Sequence, residues 1–587
     1  MLPSPPDVAG SRRRRRGRAG RGDWRVTGAG EQGGGQAPAQ VRPAEHGTAQ
    51  QDGDEGGEPT LRRRLLAKTK AGRLAAFGRD HPMASTNDDV RKPPDGDNHP
   101  GEYLRMDLDH DACSRAIELH DARFDGRFFT AVKTTGTYCR PACPARTPRS
   151  ENVTFYPTAA AAQEAGFRPC LRCRPETAPD TGAWRGTSST VSRALALIEL
   201  GALDEGSVDA LAGRLGLGER QLRRLCRQHL GASPVAVAQT RRVLLAKQLI
   251  HETFLPMTEI AFAAGFGSIR RFNETFLALF GRAPCALRRG SGPEISANPG
   301  GDISLLLRYQ PPYDWPGMLA FLRLRAIPGI ERVVESCYSR TIQLEGLQGI
   351  VSIRPAEDNA LRARIRFPKL SALPVIIARL RRVFDLAADP LPISAHLAKD
   401  PALAPLVATR PGLRVPGAWD GFELAIRAVL GQQITVPAAV RLAGRLVARH
   451  GEPLAEPDRD LTHVFPRPEA LALADLTTLG MPRSRAATLS AVAAAIVADP
   501  DLFSVSRGLD EAIQQLQSIR GVGEWTAHYI ALRQLREPDA FPAADVGLMR
   551  ALADLEGRRR SSRELVGRAD QWRPWRAYAA QHLWASL

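Results

Sequence analysis

The stretch Leu516-Gln-Ser-Ile-Arg-Gly521-Val-Gly523-Glu-Trp525-Thr-Ala-His-Tyr529, followed by Asp539-Ala-Phe541-Pro-Ala-Ala-Asp545, constrains this chain more than any other. A helical pattern ends at Arg520. Gly521-Val522-Gly523 then predicts a tight turn, since two glycines allow φ > 0. Trp525, Tyr529 and Leu532 recur at helical spacing, so a second helix follows. Such a turn aims backbone N–H groups outward at a helix N-terminus and makes a seat for phosphate. Asp545 stands beyond it in a segment with little other charge. A GxG turn alone is an ordinary helix connection, and an Asp ahead of a helix is an ordinary N-cap. Together, an anion seat and a downstream carboxylate suggest chemistry on a nucleic-acid backbone or sugar.

At 587 residues the chain needs several domains. Its net charge is +17, and residues 1–105 carry 19 Lys/Arg against 14 Asp/Glu, so most of the excess lies beyond them. That favours a polyanionic partner, although charge alone fits RNA or anionic lipid as well as DNA. No apolar run approaches the ~18 residues of a membrane span, so no membrane partner is expected. The basic N-terminus lacks the apolar core of a signal peptide. A cytoplasmic, bacterial-type, nucleoid-associated protein is expected. Residues 1–105 are rich in Gly, Pro, Gln and Arg, with five arginines at Arg12–Arg16, and read as a disordered basic tail. Met83 and Met106 are alternative starts, and order is expected to begin near Met106.

Four of the eight cysteines form two tight pairs, Cys139/Cys143 and Cys170/Cys173, with spacing C-x3-C and C-x2-C. Sparse paired cysteines point to a reducing compartment and a metal rather than a disulfide framework. Four soft ligands suit one tetrahedral Zn2+, and a purely structural ribbon would share the spacing. Cys113, Cys226, Cys285 and Cys337 lack paired spacing and read as packing residues. Thr135-Gly-Thr-Tyr-Cys139-Arg-Pro-Ala-Cys143, Arg146, Glu151-Asn-Val153 and Phe167-Arg168-Pro-Cys170-Leu-Arg172-Cys173 resemble the methyl-acceptor domain of Ada-type alkylation-response proteins. The resemblance implies that Cys139 accepts a methyl group from a DNA methyl phosphotriester. Cys143, Cys170 and Cys173 are then the other zinc ligands, and Arg146, Arg168 and Arg172 the phosphate contacts. Zinc with four thiolates carries −2; methylating one leaves −1, which raises affinity for DNA.

Two stretches, Ser207–Arg227 and Met257–Phe276, each read as helix, glycine turn, second helix. They resemble the AraC-type DNA-binding module. The second helix of each unit would enter the major groove of a promoter operator. Glu219, Arg220, Arg223 and Arg224 are available for readout in the first, and Ser268, Arg270 and Arg271 in the second. RNA polymerase is the partner such an activator implies.

Residues 303–405 mix strand patterns (349–354, 363–367) with helix patterns (Trp315–Ala326, Leu373–Phe384) and are expected to act as scaffold. From Gly421 onward the chain reads as wholly helical, including Leu509–Arg520 and Glu524–Arg533. With the hairpin turn, Tyr309-Gln-Pro-Pro-Tyr313-Asp-Trp315 and Trp572-Arg-Pro-Trp575-Arg-Ala-Tyr578…His582-Leu-Trp584, this half resembles the AlkA-type 3-methyladenine glycosylases of the helix-hairpin-helix superfamily. The resemblance implies that Asp545 is catalytic, and that Trp525, Tyr529 and Trp584 line the base pocket. Gln433, in Gly431-Gln-Gln-Ile-Thr435, would wedge the gap left by a flipped base, and Gly521 and Gly523 would seat phosphate. Hairpin carbonyls of Gln517, Ile519 and Val522 could hold a monovalent cation. Trp525 occupies the place of the lysine in strand-cleaving relatives, so the expected enzyme is monofunctional. The Pro-Cys-His-Arg motif of the Ada-type methyltransferase domain is absent, so repair of O6-methylguanine is not predicted.

The expected architecture is multidomain and mainly α. It comprises a tail (1–105), a small zinc-bound α+β domain (106–178), a double helix-turn-helix (188–290), a second small α+β domain (303–415) and an all-α glycosylase domain (416–587). The expected function couples hydrolytic excision of alkylated purines to phosphotriester sensing and transcriptional activation, on alkylated and promoter double-stranded DNA. The alternative is a regulator whose glycosylase half is only a DNA-binding platform.

Overall fold

Short runs of β-branched and aromatic residues shape the cysteine module. The computed structural model describes residues 109–179, 189–288, 302–505, 507–558 and 560–587. The expected tail and its alternative starts lie outside these residues, as do most of the two linkers. In the module, β1 (Phe129–Val132), β2 (Thr137–Cys139), β3 (Val153–Tyr156) and β4 (Arg168–Pro169) form a sheet in the order β3-β1-β2-β4. β1 is antiparallel to both neighbours, and β2 is parallel to β4. Phe129, Ala131 and Tyr138 bury their side chains against Ala159 and Ala162 of the helix Ala159–Glu164.

Two helix pairs follow, Val208–Arg214 with Glu219–Leu230 and Met257–Ala263 with Ile269–Phe280, joined through the long helix Pro234–Glu252. Each second helix buries one residue per turn: Leu222, Cys226 and Leu230 in the first, Phe272, Phe276 and Phe280 in the second. The first unit has its own core. The second does not: Phe266, Phe272 and Phe276 belong to one continuous apolar cluster with Ile303, Leu305, Leu307, Ile376 and Leu380 of the region that follows. Cys113 and Cys226 are buried and Cys337 half-buried, as packing residues should be, but Cys285 is exposed.

That region is an antiparallel sheet of β5 (Ile303–Arg308), β6 (Glu331–Val334), β7 (Cys337–Leu344), β8 (Leu347–Ala356) and β9 (Ala360–Arg366), ordered β5-β9-β8-β7-β6. β5 alternates buried Ile303, Leu305 and Leu307 with half-exposed neighbours, the pattern of a strand covered on one face. Asp358 and Asn359 both adopt positive φ in the three-residue turn between β8 and β9, where short polar side chains tolerate that conformation best. The helices Trp315–Arg325 and Leu373–Val383 cover the sheet.

The helical half is interrupted once. β10 (Glu452–Asp458) and β11 (Leu461–Val464) form a hairpin in a stretch expected to be purely helical. Pro453 and Pro457 mask it in the sequence, since proline argues against a strand. The hairpin is held by Leu454, Leu461 and Val464 packing on Ile350 of β8. The helix before the glycine turn stops at Gln517 rather than Arg520, and the one after it is α-helical over Glu524–Ile530 and then widens into a π turn, Ala531–Leu535.

A buried ionic network fixes the sheet against the helical half. Arg340 donates to Glu423 (2.6 Å), Arg427 donates to Glu423 (2.9 Å) and pairs with Glu331 (2.5 Å), and the Tyr338 hydroxyl donates to Glu331 (2.6 Å). Burial would raise the Glu423 pKa, but Arg340 and Arg427 outweigh it and hold the carboxyl below its ordinary range. Its stabilising contribution is therefore fully present at neutral pH and is lost only on acidification below that range. Glu423→Gln leaves two guanidinium groups under-compensated. It should cost about 3–5 kcal/mol in urea unfolding at neutral pH, and a wild-type midpoint would count against the network.

A second buried pair joins the cysteine module to the long helix. Lys247, fully buried, donates to Glu176 (2.6 Å) and to the backbone carbonyl of Cys170 (3.1 Å). One turn on, Glu252 accepts from Arg174 (3.3 Å) and from the β5 backbone N–H of Leu306 (3.0 Å). Burial lowers the Lys247 pKa, and Glu176 opposes the shift.

Candidate active site and metal centre

The parallel pairing of β2 with β4 assembles the cysteines. The Cys170 N–H donates to the Tyr138 carbonyl (3.0 Å), which sets the residue after β4 beside the last residue of β2. Cys143 is folded back by a turn, its N–H donating to the Arg140 carbonyl (3.1 Å). The ligand atoms of Cys139, Cys143, Cys170 and Cys173 then lie within 4.8 Å of one another. A tetrahedral metal with Zn–S bonds of about 2.3 Å fits that spacing. The N–H groups of Arg140 and Arg172 donate to the Cys173 and Cys170 sulfurs (both 3.4 Å), which suits thiolates. Cys139 and Cys170 are half-buried, whereas Cys143 and Cys173 are buried. Arg146 and Arg172 are exposed and Arg168 is half-buried. Arg140 instead turns inward, where its Nε donates to Asp125 (2.8 Å).

The second site is a broad groove of about 1320 Å³ between the α+β region and the helical half. Gly521 has φ +88°, and a Cβ there would strike the Thr488 side chain, so the turn requires glycine. Gly523 is different: its φ is −90°, and a Cβ would meet nothing within 4 Å. Of the two glycines that allow φ > 0, only Gly521 uses that freedom; Gly523 leaves an exposed, uncrowded backbone at the helix start. Asp545 caps the helix Val546–Glu556, its Oδ1 accepting from the Leu548 N–H (2.9 Å). The same carboxylate accepts from the indole N–H groups of Trp525 (2.7 Å, to Oδ2) and Trp584 (3.0 Å, to Oδ1). Cap and groove carboxylate are thus one group, pinned by three donors and half-buried. Tyr529 stacks on Trp525 (5.2 Å between centroids, 13° between planes) and meets Trp584 edge-on (6.2 Å).

Four family models match in succession. They are the metal binding domain of Ada (112–176), a helix-turn-helix domain (211–290), the AlkA N-terminal domain (304–420), and the HhH-GPD superfamily of base excision DNA repair proteins (426–576). Over 484 residues the chain is 44% identical to the probable bifunctional transcriptional activator/DNA repair enzyme AlkA of Mycobacterium tuberculosis, covering 82% of this chain and 97% of that one. The chain belongs to the bifunctional AlkA family. It is also 34% identical over 282 residues to DNA-3-methyladenine glycosylase 2 of Escherichia coli (47% of this chain, 95% of that one). Against the bifunctional transcriptional activator/DNA repair enzyme Ada of E. coli it is 37% identical over 135 residues (23% and 37%).

In this AlkA-family chain the four-cysteine cluster is a zinc site with cysteine ligands. Among the described residues, no helix is long and apolar enough to cross a membrane. On the helices Glu219–Leu230 and Ile269–Phe280, Arg220, Arg224 and Arg271 are exposed. Arg223 is tied to Glu219 (2.7 Å) and Arg270 to Glu274 (2.7 Å). Gln433 is exposed, with φ +58°, at the tip of its loop.

The α+β region, expected to act as scaffold, also contributes side chains to the groove. Phe321 and Arg325, one turn apart on the helix Trp315–Arg325, line the same groove as Asp545. The Arg325 guanidinium lies 3.8 Å from the Phe321 ring centroid. Arg533 donates to the Tyr529 hydroxyl oxygen (2.6 Å). Burial would raise the Tyr529 pKa, but Arg533 and Arg325 outweigh it and hold it below the ordinary tyrosine value. Only an aromatic followed by an arginine at i+4 marked this face in the sequence.

Trp525→Phe keeps a ring against Tyr529 and removes one donor to Asp545. It should lower kcat for base release about tenfold with KM little changed, as expected for a hydrogen bond to a charged group. A change confined to KM would assign Trp525 to stacking alone.

Proposed function

We propose that this chain excises alkylated purines of the 3-methyladenine and 7-methylguanine type from double-stranded DNA, and that Asp545 is the catalytic carboxylate. The observation that carries the reading is the Asp545 carboxylate held by two indole N–H groups at the edge of a stacked aromatic wall. A base in a duplex must be extruded before it can be reached. Alkylation at N3 or N7 makes the base cationic, and the faces of Trp525, Tyr529 and Trp584 attract it, at roughly 1–2 kcal/mol per good contact. The base leaves with the electrons of the glycosidic bond. Asp545 stabilises the oxocarbenium character left on the sugar and orients or deprotonates the attacking water. Gly521 and Gly523 seat the phosphate, Gln433 fills the vacated stack, and the hairpin carbonyls of Gln517, Ile519 and Val522 would hold a monovalent cation.

At the metal centre, Cys139, Cys143, Cys170 and Cys173 would hold a zinc ion, which would keep the Cys139 sulfur a thiolate at neutral pH. The Cys139 sulfur attacks the methyl carbon of a phosphotriester, the C–O bond breaks, and a phosphodiester leaves. Arg146, Arg168 and Arg172 hold the flanking phosphates. With the negative charge of the site reduced, Arg220, Arg223, Arg270 and Arg271 bind an operator and present the chain to RNA polymerase. Two assays test the reading. Failure of the full chain to release either base from alkylated duplex DNA would overturn the glycosylase half. Failure of a methyl group to move from phosphotriester DNA to Cys139 would overturn the sensor half.

A further inference from the structure

Three elements converge behind the tip of the loop 431–435. The Gln432 side-chain amide donates to the Gly521 carbonyl (3.1 Å) and to the Thr526 hydroxyl (3.1 Å). Thr526 is only 2% exposed, on the first turn after the hairpin. From the other side, Arg485 donates to the Gln432 main-chain carbonyl. Arg485 shares the helix Arg483–Ala498 with Thr488, the residue against which Gly521 packs. Gln432 thus uses both amide hydrogens on the hairpin and its backbone on the neighbouring helix. Among the described residues, no other side chain of this loop donates to the hairpin.

The next residue, Gln433, is exposed and sits in the left-handed region at φ +58°. A non-glycine residue stays there only when the structure around it over-determines it. Gln432 supplies that constraint on one side of the tip.

We infer that Gln432 is a positioning residue: its side chain latches the Gln433 loop to the hairpin, so that seating of the hairpin on phosphate and insertion of the tip into the base stack occur as one event. The inference rests on the proposed wedge role of Gln433. The latch contributes where the helix must be opened. It contributes little where the lesion is already unpaired, because extrusion then costs far less. A merely structural role would not distinguish those substrates.

The test compares kcat/KM for release of 7-methylguanine from a paired duplex and from a single-stranded oligonucleotide of the same sequence, with the full chain. Gln432→Met keeps length and loses both donors. It should reduce release from the duplex roughly tenfold and from the single strand less than about twofold, in line with the loss of one or two hydrogen bonds. Gln432→Asn keeps the amide but is too short to span the same gap, and should show the same pattern even if Gln432→Met folds poorly. Equal losses on both substrates, or no loss on either, overturn the latch. Gln433→Gly, measured in parallel, separates the two ideas. No duplex-specific loss in Gln433→Gly overturns the wedge reading and the latch with it. A duplex-specific loss in Gln433→Gly but not in the Gln432 variants overturns the latch alone.

Discussion

Asp545→Asn in the full chain should lower kcat for release of 3-methyladenine from duplex DNA by about 10²–10⁴-fold, the range associated with loss of a positioned acid–base group. The fold should survive, because asparagine caps a helix about as well as aspartate and the Leu548 N–H keeps an acceptor. What is lost is the charge. An amide oxygen cannot offset a cationic sugar as a carboxylate does, and its NH2 group cannot accept from the indole N–H it would face at Trp525 or Trp584. DNA affinity, measured by fluorescence anisotropy, should therefore change much less than kcat. Full excision activity in Asp545→Asn would sink the catalytic assignment.

Replacing Cys170 and Cys173 together by serine should bring zinc content from one ion per chain to none, read by atomic emission, and abolish methyl transfer to Cys139. Apparent binding of structural zinc amounts to about 10–16 kcal/mol near pH 7, far more than a small module can forgo. The effect should spread. Lys247 is buried against Glu176 and donates to the Cys170 carbonyl, so a loosened Cys170–Cys173 loop strips a partner from a charged group in the long helix Pro234–Glu252. Hydrogen exchange should rise along that helix as well as in residues 109–179. Unchanged zinc in the double variant would remove the metal site from the account. Protection confined to its wild-type level in the helix would show that Lys247 does not transmit the loss.

Much of this was legible in the sequence because it was local. C-x3-C and C-x2-C set four thiols at fixed short offsets, and the β2–β4 pairing had only to bring two ends together. The motifs around Gly521 and Asp545 likewise named the groove. What they could not carry was orientation. Trp525, Asp545 and Trp584 lie on three separate elements, and nothing in their spacing says that both indole N–H groups meet one carboxylate. Phe321 and Arg325 were missed because they come from a different domain, and their side of the groove exists only after the sheet has docked. The hairpin at β10–β11 was missed because its stability resides in Ile350, a residue of another strand, while its own prolines argue against it.

The shared apolar cluster has a bearing on inheritance. Residues 289–301 mark a clean boundary between modules along the chain, yet Phe266, Phe272 and Phe276 on one side pack in one core with Leu305, Leu307 and Ile376 on the other. An in-frame genetic exchange there would divide one interior between two parents. Each half would bring apolar surfaces shaped for a neighbour it no longer has. The first helix-turn-helix unit has a core of its own, against which Val505 of the helical half packs only from outside, and is restricted less. The shared core thus favours inheritance of the second helix-turn-helix unit and the region that follows it as a single block.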